Sequence, residues 1–345
     1  MTLTPEDGIY PDCLRAADVL RAGGIVAFPT ETVYGLGADA ENAKAVERIF
    51  AVKDRPLSHP LIVHLGGASQ LDDWATAAPD SARLLAERFW PGPLTLVLRR
   101  SGRVPLAVTG GLETVALRVP AHAVALSLLS TFGGGIAAPS ANRFGAVSPT
   151  TASHVCEGLG SAVDYLLDGG PSRVGVESTI VDLTGAQPAL LRPGGVTREE
   201  LEQALGCTVL TDARCALPAP GRHPSHYAPQ AKVLLVAQDE ILTEARRLRA
   251  ERHRVGLLLP SPFASAQASD TEHVVIVVPD SMVEYARRLY EFLWEFDRRG
   301  CDAIVASLPC EDGLGLAIAD RLRRAAGRGH YKDAGASAKS QKTAL

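Results

Sequence analysis

Four prolines, Pro218, Pro220, Pro224 and Pro229, fall within residues 217–230, around Gly221. Proline fixes φ and removes a backbone donor, so this stretch suits neither a helix interior nor a central strand. It divides the 345-residue chain into two parts, each long enough to bury a core of its own. On both sides, short β-branched runs alternate with stretches of helical period. Such alternation builds α/β layers around a substantial sheet.

In the first part, residues 13–22 read as a helix stopped at Gly23-Gly24. Residues 25–28 read as a buried strand ended by Pro29, and residues 43–52 as a helix with Asn42 as its N-cap. Further strands are expected at 61–65, 94–98, 115–119, 136–138, 179–183 and 189–191, and helices at 81–89, 123–130, 151–156 and 198–205. The second part gives strands at 233–236, 255–259, 274–278 and 303–306. Helices are expected there at 240–252, 282–298 and 316–326, so this is a small open sheet. The domain plan is therefore 10–210, a Pro-rich linker at 211–231, 232–327, and a polar tail at 328–345.

Charge narrows the function classes. Lys+Arg number 35 against 39 Asp+Glu, a net of −4. Residues 1–205 hold 16 basic and 22 acidic side chains, a net of −6. Neither figure gives the basic field of a dedicated nucleic-acid binder. Only Lys44 and Lys53 supply lysines in those 205 residues. No apolar run approaches 18 residues and the first twelve are acidic, so neither a membrane span nor a signal peptide is expected. The six cysteines form no C-x-x-C pair, which suits a reducing, cytoplasmic setting better than a disulfide or zinc framework.

Gly35-Leu36-Gly37-Ala38-Asp39-Ala40 fits the dinucleotide pattern G-x-G-x-x-A. Six residues separate it from the preceding strand, whereas that fingerprint needs its glycines in the strand-to-helix turn. Gly313-Leu314-Gly315 is a weaker match. No G-x-x-x-x-G-K-[ST] or H-E-x-x-H occurs, and His59 and His64 are five apart, so no P-loop or recognisable zinc site exists.

Other segments carry more. Thr30, Glu31 and Thr32 follow the end of a buried strand, where ligands gather in α/β sheets, although a Thr-stabilised polar turn uses the same residues. Lys53 and Arg55 suit two oxygens of one polyphosphate, or equally the C-terminus of a helix. Arg118, flanked by apolar residues in Val-Ala-Leu-Arg-Val-Pro, needs a carboxylate partner, from the protein or from a substrate. Pro139-Ser140-Ala141-Asn142, with Ser148 beyond it, offers donors before a helix. Glu177-Ser178-Thr179 and Leu191-Arg192-Pro193 add hydroxyls and another guanidinium. Five polar loops beside strand ends make a small-molecule site.

The order Pro-Thr-Glu-Thr-Val-Tyr-Gly-Leu-Gly, Lys-x-Arg-Pro, Pro-Leu-Ile-Val-His, Trp-Pro-Gly-Pro-Leu-Thr, Ala-Leu-Arg-Val-Pro, Pro-Ser-Ala-Asn and Glu-Ser-Thr-Ile-Val-Asp resembles the YrdC-like family over residues 10–205. His226-Tyr227-Ala228-Pro229 and Gly-Leu-Gly-Leu-Ala-Ile-Ala-Asp-Arg-Leu resemble the two-domain members, the L-threonylcarbamoyladenylate synthases. The resemblance implies an α/β YrdC-like twisted-sheet domain with a central cavity and a smaller Rossmann-like domain. It implies that L-threonine, bicarbonate or CO2, and ATP taken with Mg2+ give threonylcarbamoyl-AMP and pyrophosphate. No organic cofactor and no covalent nucleophile are implied.

The product would go to the machinery that modifies tRNA beside the anticodon. By motif, Thr32, His64, Arg118, Ala138 and Ser178 are implied to bind threonine. Lys53, Arg55, His59, Thr114, Ser140, Asn142, Ser148, Arg192 and Tyr227 are implied to bind ATP. His59 stands where the family often has Asn, and imidazole can still donate a hydrogen bond. The proline-rich linker is expected to close over the nucleotide as a lid, excluding water from labile intermediates. Two other readings are an RNA-binding YrdC-like module, opposed by the −6 charge, and carbamoyl-adenylate formation. The zinc-finger and acylphosphatase segments that accompany the latter are missing.

Overall fold

The computed structural model describes residues 11–211, 226–260 and 273–327. Most of the proline-rich segment expected as a lid, and the polar tail, lie outside the described residues. The chain forms two compact units, residues 1–144 with 148–222, and residues 145–147 with 223–345.

The first unit is built on a nine-stranded mixed sheet. Its strands are β1 (Val26–Phe28), β2 (Gly35–Asp39), β3 (Ile62–His64), β4 (Leu94–Arg99), β5 (Thr114–Arg118), β6 (Ile136–Ala137), β7 (Tyr165–Leu166), β8 (Thr179–Asp182) and β9 (Ala189–Arg192). They lie in the order β7-β1-β2-β6-β3-β5-β4-β8-β9. β3 and β5 run parallel with His64 opposite Arg118, and β4 and β8 run parallel with Leu94 opposite Thr179.

The expected helices form with short extensions, because their ends are set by caps. Asn42 accepts from the Ala45 N–H at the start of Ala43–Lys53, and Thr197 with Glu200 forms a capping box at Arg198–Leu205. Helix Ala123–Phe132 buries Val124, Ala125, Leu128 and Leu129 in a cluster with Ala16, Ala17 and Leu20 of helix Pro11–Arg21. Phe28, Ile136 and Ala138 close that cluster from the sheet.

The glycine pair that fits a dinucleotide pattern lies instead inside β2, paired antiparallel to β1 with Phe28 opposite Gly35. A Cβ on Gly37 would come within 2.6 Å of Ile136 Cγ2 and 2.8 Å of Phe28 Cε1. The glycines let two buried rows approach closely, a recurrent use of glycine in strands. The sequence pattern conceals this strand because glycine scores against β structure.

In the second unit β10 (Lys232–Leu235), β11 (Val255–Pro260), β12 (Val274–Val278) and β13 (Ala303–Ala306) form a parallel sheet in the order β10-β13-β11-β12. Helices Ile241–Ala250, Met282–Arg298 and Leu314–Ala326 accompany it. Arg321, fully buried, pairs with Asp320 at 2.6 Å and lies 4.9 Å over the Tyr227 ring. Tyr227 also packs against Tyr290 at 5.8 Å between ring centroids. Among the described residues no helix is long and apolar enough to cross a membrane.

Candidate active site

The residues implied to bind threonine are all buried in the first unit. His64 and Arg118 end the parallel strands β3 and β5, and their backbones face each other in register. Ser178 directly precedes β8, and its Oγ lies 2.8 Å from Thr95 Oγ1. Because the sheet is mixed, the site draws on strand beginnings as well as the carboxyl ends expected from sequence. Ala138 follows β6 and its N–H donates to the Ile62 carbonyl at 2.8 Å.

The loop after β1 is internally fixed. Thr30 Oγ1 lies 2.8 Å from Thr32 Oγ1, donates to the Val33 carbonyl at 2.6 Å, and accepts from the Val33 N–H at 3.3 Å. This geometry carries Glu31 to Arg118, with Oε1 2.7 Å from Nη2 and each side chain 4% exposed. Of the two partners that the sequence left open for Arg118, the structure supplies the protein carboxylate. Arg118 Nε also donates to the Gly92 carbonyl at 3.3 Å.

His64 is 4% exposed, and its ring meets Phe28 edge to face at 5.7 Å. Burial first, and the Arg118 charge second, push its pKa down to about 3. The imidazole is therefore neutral near pH 7, able to hydrogen-bond but not to supply charge.

Of the residues implied to bind ATP, several in the first unit fall into small contact groups. Arg192, at the end of β9, donates to the Ser178 carbonyl at 2.8 Å and to Ser178 Oγ at 3.0 Å. One hydroxyl thus joins the two sets. Lys53 Nζ donates to the Ser140 carbonyl at 2.6 Å and to the Asn142 carbonyl, tying the helix end to the Pro139–Asn142 loop. Burial, and secondarily Arg55, hold the Lys53 pKa well below its ordinary value.

Arg55 donates to the Pro60 carbonyl at 3.0 Å and lies 5.7 Å over the Phe144 ring, which His59 also meets at 5.2 Å. Asn142 Nδ2 donates to the Arg143 carbonyl at 2.8 Å. Ser148 Oγ donates to Glu177 at 2.6 Å. Thr114 begins β5, opposite Arg99. Tyr227 belongs to the second unit.

Glu31, Thr95, Phe144 and Glu177 join these clusters without having been singled out as site residues. Glu31 and Glu177 had a signal in the sequence, since each stands beside hydroxyl residues at a strand end. Thr95 ends the Trp-Pro-Gly-Pro-Leu-Thr motif, but only the sheet order brings it to Ser178.

The chain is similar to known proteins across both units. Residues 18–194 match the family described as Telomere recombination, and residues 196–327 match the one described as Threonylcarbamoyl-AMP synthase, C-terminal domain. The Threonylcarbamoyl-AMP synthase of Pyrococcus abyssi is 45% identical over 323 residues, covering 90% of this chain and 93% of the relative. That of Bacillus subtilis is 42% identical over 325 residues, covering 92% and 93%. The crystal structure of P. abyssi Sua5 complexed with L-threonine superposes with a TM-score of 0.84 at 44% identity, covering 91% of this chain and 94% of that one. Both units are therefore those of the two-domain YrdC-like fold, and the chain belongs to the threonylcarbamoyl-AMP synthase family.

Proposed function

We propose that this chain is an L-threonylcarbamoyladenylate synthase. It joins L-threonine, bicarbonate or CO2, and MgATP into threonylcarbamoyl-AMP and pyrophosphate, for a downstream tRNA-modifying transferase. The observation that carries this reading is the shared hydroxyl of Ser178. It touches Thr95 on one side and Arg192 on the other, which supports an amino-acid site and an anion site side by side.

Arg118 binds the substrate carboxylate bidentately, the geometry a guanidinium fork favours. Thr32, with Thr30 behind it, and the neutral imidazole of His64 orient the rest of the amino acid. Arg192 lies toward the α-phosphate. Lys53 and Arg55, beside Ser140, Asn142 and Ser148, lie toward the other phosphates and the ribose, with His59 and Thr114 at the rim. An arriving polyphosphate restores the Lys53 charge that burial opposes.

N-carboxythreonine then presents a carbamate oxygen to the α-phosphorus. Pyrophosphate leaves, and no protein nucleophile is required. Positioning and charge neutralisation supply the rate, as in other phosphoryl-group chemistry. A carbamate and a mixed anhydride are both labile to water, which explains burying these side chains so deeply.

The test is to incubate the protein with MgATP, bicarbonate and each amino acid in turn, following pyrophosphate and the adenylate by mass. Threonine and bicarbonate together are expected to be required. Equal pyrophosphate release with threonine omitted refutes the reading.

A further inference from the structure

We propose that Glu31 is an internal stand-in for the substrate carboxylate: it holds Arg118 in the free protein and, once displaced, accepts the proton that the substrate's ammonium must lose. The inference rests on the reading of this site as one that carboxylates and adenylates an amino acid. It concerns a residue outside the set carried over by motif.

Three features of the structure point to it. Glu31 is 3% exposed, and its Oε1 makes the 2.7 Å ion pair with Arg118. Neither of its carboxylate oxygens has a hydrogen-bond partner among the described residues, so the pair is a contact of charges without directional bonds. The backbone around it is pinned, since the Glu31 carbonyl accepts from the Val174 N–H at 2.7 Å and the neighbouring threonines are cross-bonded. Only the side chain has to turn when a second carboxylate reaches Arg118.

The other candidates for the proton are occupied or unsuitable. Glu177 accepts from Ser148 at 2.6 Å. Asp168 accepts from Tyr34 at 3.2 Å and from the Gly170 N–H at 2.9 Å. His64 binds a proton only near pH 3. The charged and titratable groups facing Glu31 are Arg118, from β5, and His122, which has Arg173 beyond it. His122 is held below its ordinary pKa by burial, against the pull of Glu31. A buried carboxylate deprived of its cation takes up a proton rather than stay charged. Displacement therefore creates a proton acceptor beside the substrate at the moment it is needed.

The step balances. An ammonium nitrogen has no lone pair and cannot attack carbon. One proton passes from it to a Glu31 oxygen. The freed pair forms the N–C bond to CO2, and one C–O π pair moves onto oxygen. The second N–H proton, made acidic by the new bond, leaves to water, and Glu31 returns its own proton to solvent when the product departs.

The experiment compares wild type, Glu31→Gln and Glu31→Asp for threonine affinity by calorimetry and for adenylate formation from pH 6.5 to 9.5. The Glu31→Gln side chain keeps an acceptor for Arg118 but neither competes for the guanidinium nor takes a proton. Threonine is expected to bind Glu31→Gln as tightly as wild type or more tightly, while adenylate formation at pH 7 falls by about a hundredfold, the low end of general-base effects. That deficit is expected to shrink by about tenfold per pH unit as threonine arrives already deprotonated. Glu31→Asp, which keeps the carboxylate, is expected to retain partial activity with the wild-type pH profile.

Three outcomes overturn the proposal: a deficit equal at every pH, threonine affinity lost in step with activity, or full activity of Glu31→Gln at pH 7. Absence of adenylate from the wild type would instead refute the proposed reaction, so the two failures are distinguishable.

Discussion

Replacing Arg118 by methionine removes one partner of an ion pair whose two side chains are each 4% exposed. At 2.7 Å the Coulomb attraction is roughly 6 kcal/mol for an effective dielectric constant of about 20. Much of that offsets the cost of taking both charges out of water, so the intact pair contributes little net stability. Breaking it is another matter, because Glu31 is left in the interior without its cation. The expected loss for Arg118→Met is about 3–5 kcal/mol of unfolding free energy.

The double variant Arg118→Met with Glu31→Gln carries neither charge and is expected to recover at least about 2 kcal/mol of that loss, a coupling typical of contacting residues. Urea titration followed by fluorescence reads this, since Trp74 and Trp90 are buried in the first unit. Calorimetry on the same proteins is expected to show threonine binding weakened by roughly 2–5 kcal/mol in Arg118→Met, the cost of truncating a buried charge partner, with ATP binding changed much less. Additive stability losses in the cycle would refute the pairing. Loss of ATP affinity with threonine affinity intact would refute the assignment of Arg118 to the carboxylate.

Three further outcomes follow from individual side chains. His64 has a folded pKa of about 3 against an ordinary 6.5, so the unfolded chain binds more protons between them; stability is full above about pH 6.5 and falls as pH drops toward 3, and at pH 4 wild type is expected to have lost about 3 kcal/mol that His64→Gln does not lose, measured by urea titration at each pH. Gly37→Ala is expected to cost about 1–3 kcal/mol, since the new methyl overlaps Ile136 and Phe28, and an unchanged denaturation midpoint would count against the close packing of β1 and β2. Tyr227→Ala is expected to destabilise the second unit by about 3–5 kcal/mol, read from its own Trp294, because the ring is 1% exposed against Tyr290 and Arg321. Any activity that Tyr227→Ala loses has to be judged against that loss of fold.

The longer helices and most strands were legible because their signals are local, whereas the one-turn helices Leu71–Trp74 and Leu106–Thr109 were not. The cap at Asn42 and the apolar stripe of residues 282–298 are written within a few turns of chain. β2 was not legible. Its sequence, Gly-Leu-Gly-Ala-Asp, has poor intrinsic strand character, and what makes it a strand is the close approach of Phe28 and Ile136 from elsewhere in the chain. Strand order was equally hidden, since β6 is inserted between β2 and β3 although about seventy residues or more separate it from either.

The site divides along the same line. The hydroxyls, guanidiniums and imidazole of the candidate site stand in short motifs at strand ends, so they could be singled out from sequence. Their state could not. That Arg118 already has a partner, that His64 is neutral, and that Lys53 is tied to two loop carbonyls are consequences of burial and of contacts between distant segments. These facts bear on the proposed chemistry, because a guanidinium already paired with an internal carboxylate would bind a substrate by exchange rather than by simple addition. Under the proposed exchange at Arg118 the number of buried ion pairs would be conserved, so a carboxylate substrate would enter at little electrostatic cost, whereas an uncharged analogue would gain nothing from displacing Glu31. In the proposed reaction, selectivity for a carboxylate-bearing substrate would thus arise from the Glu31–Arg118 pair.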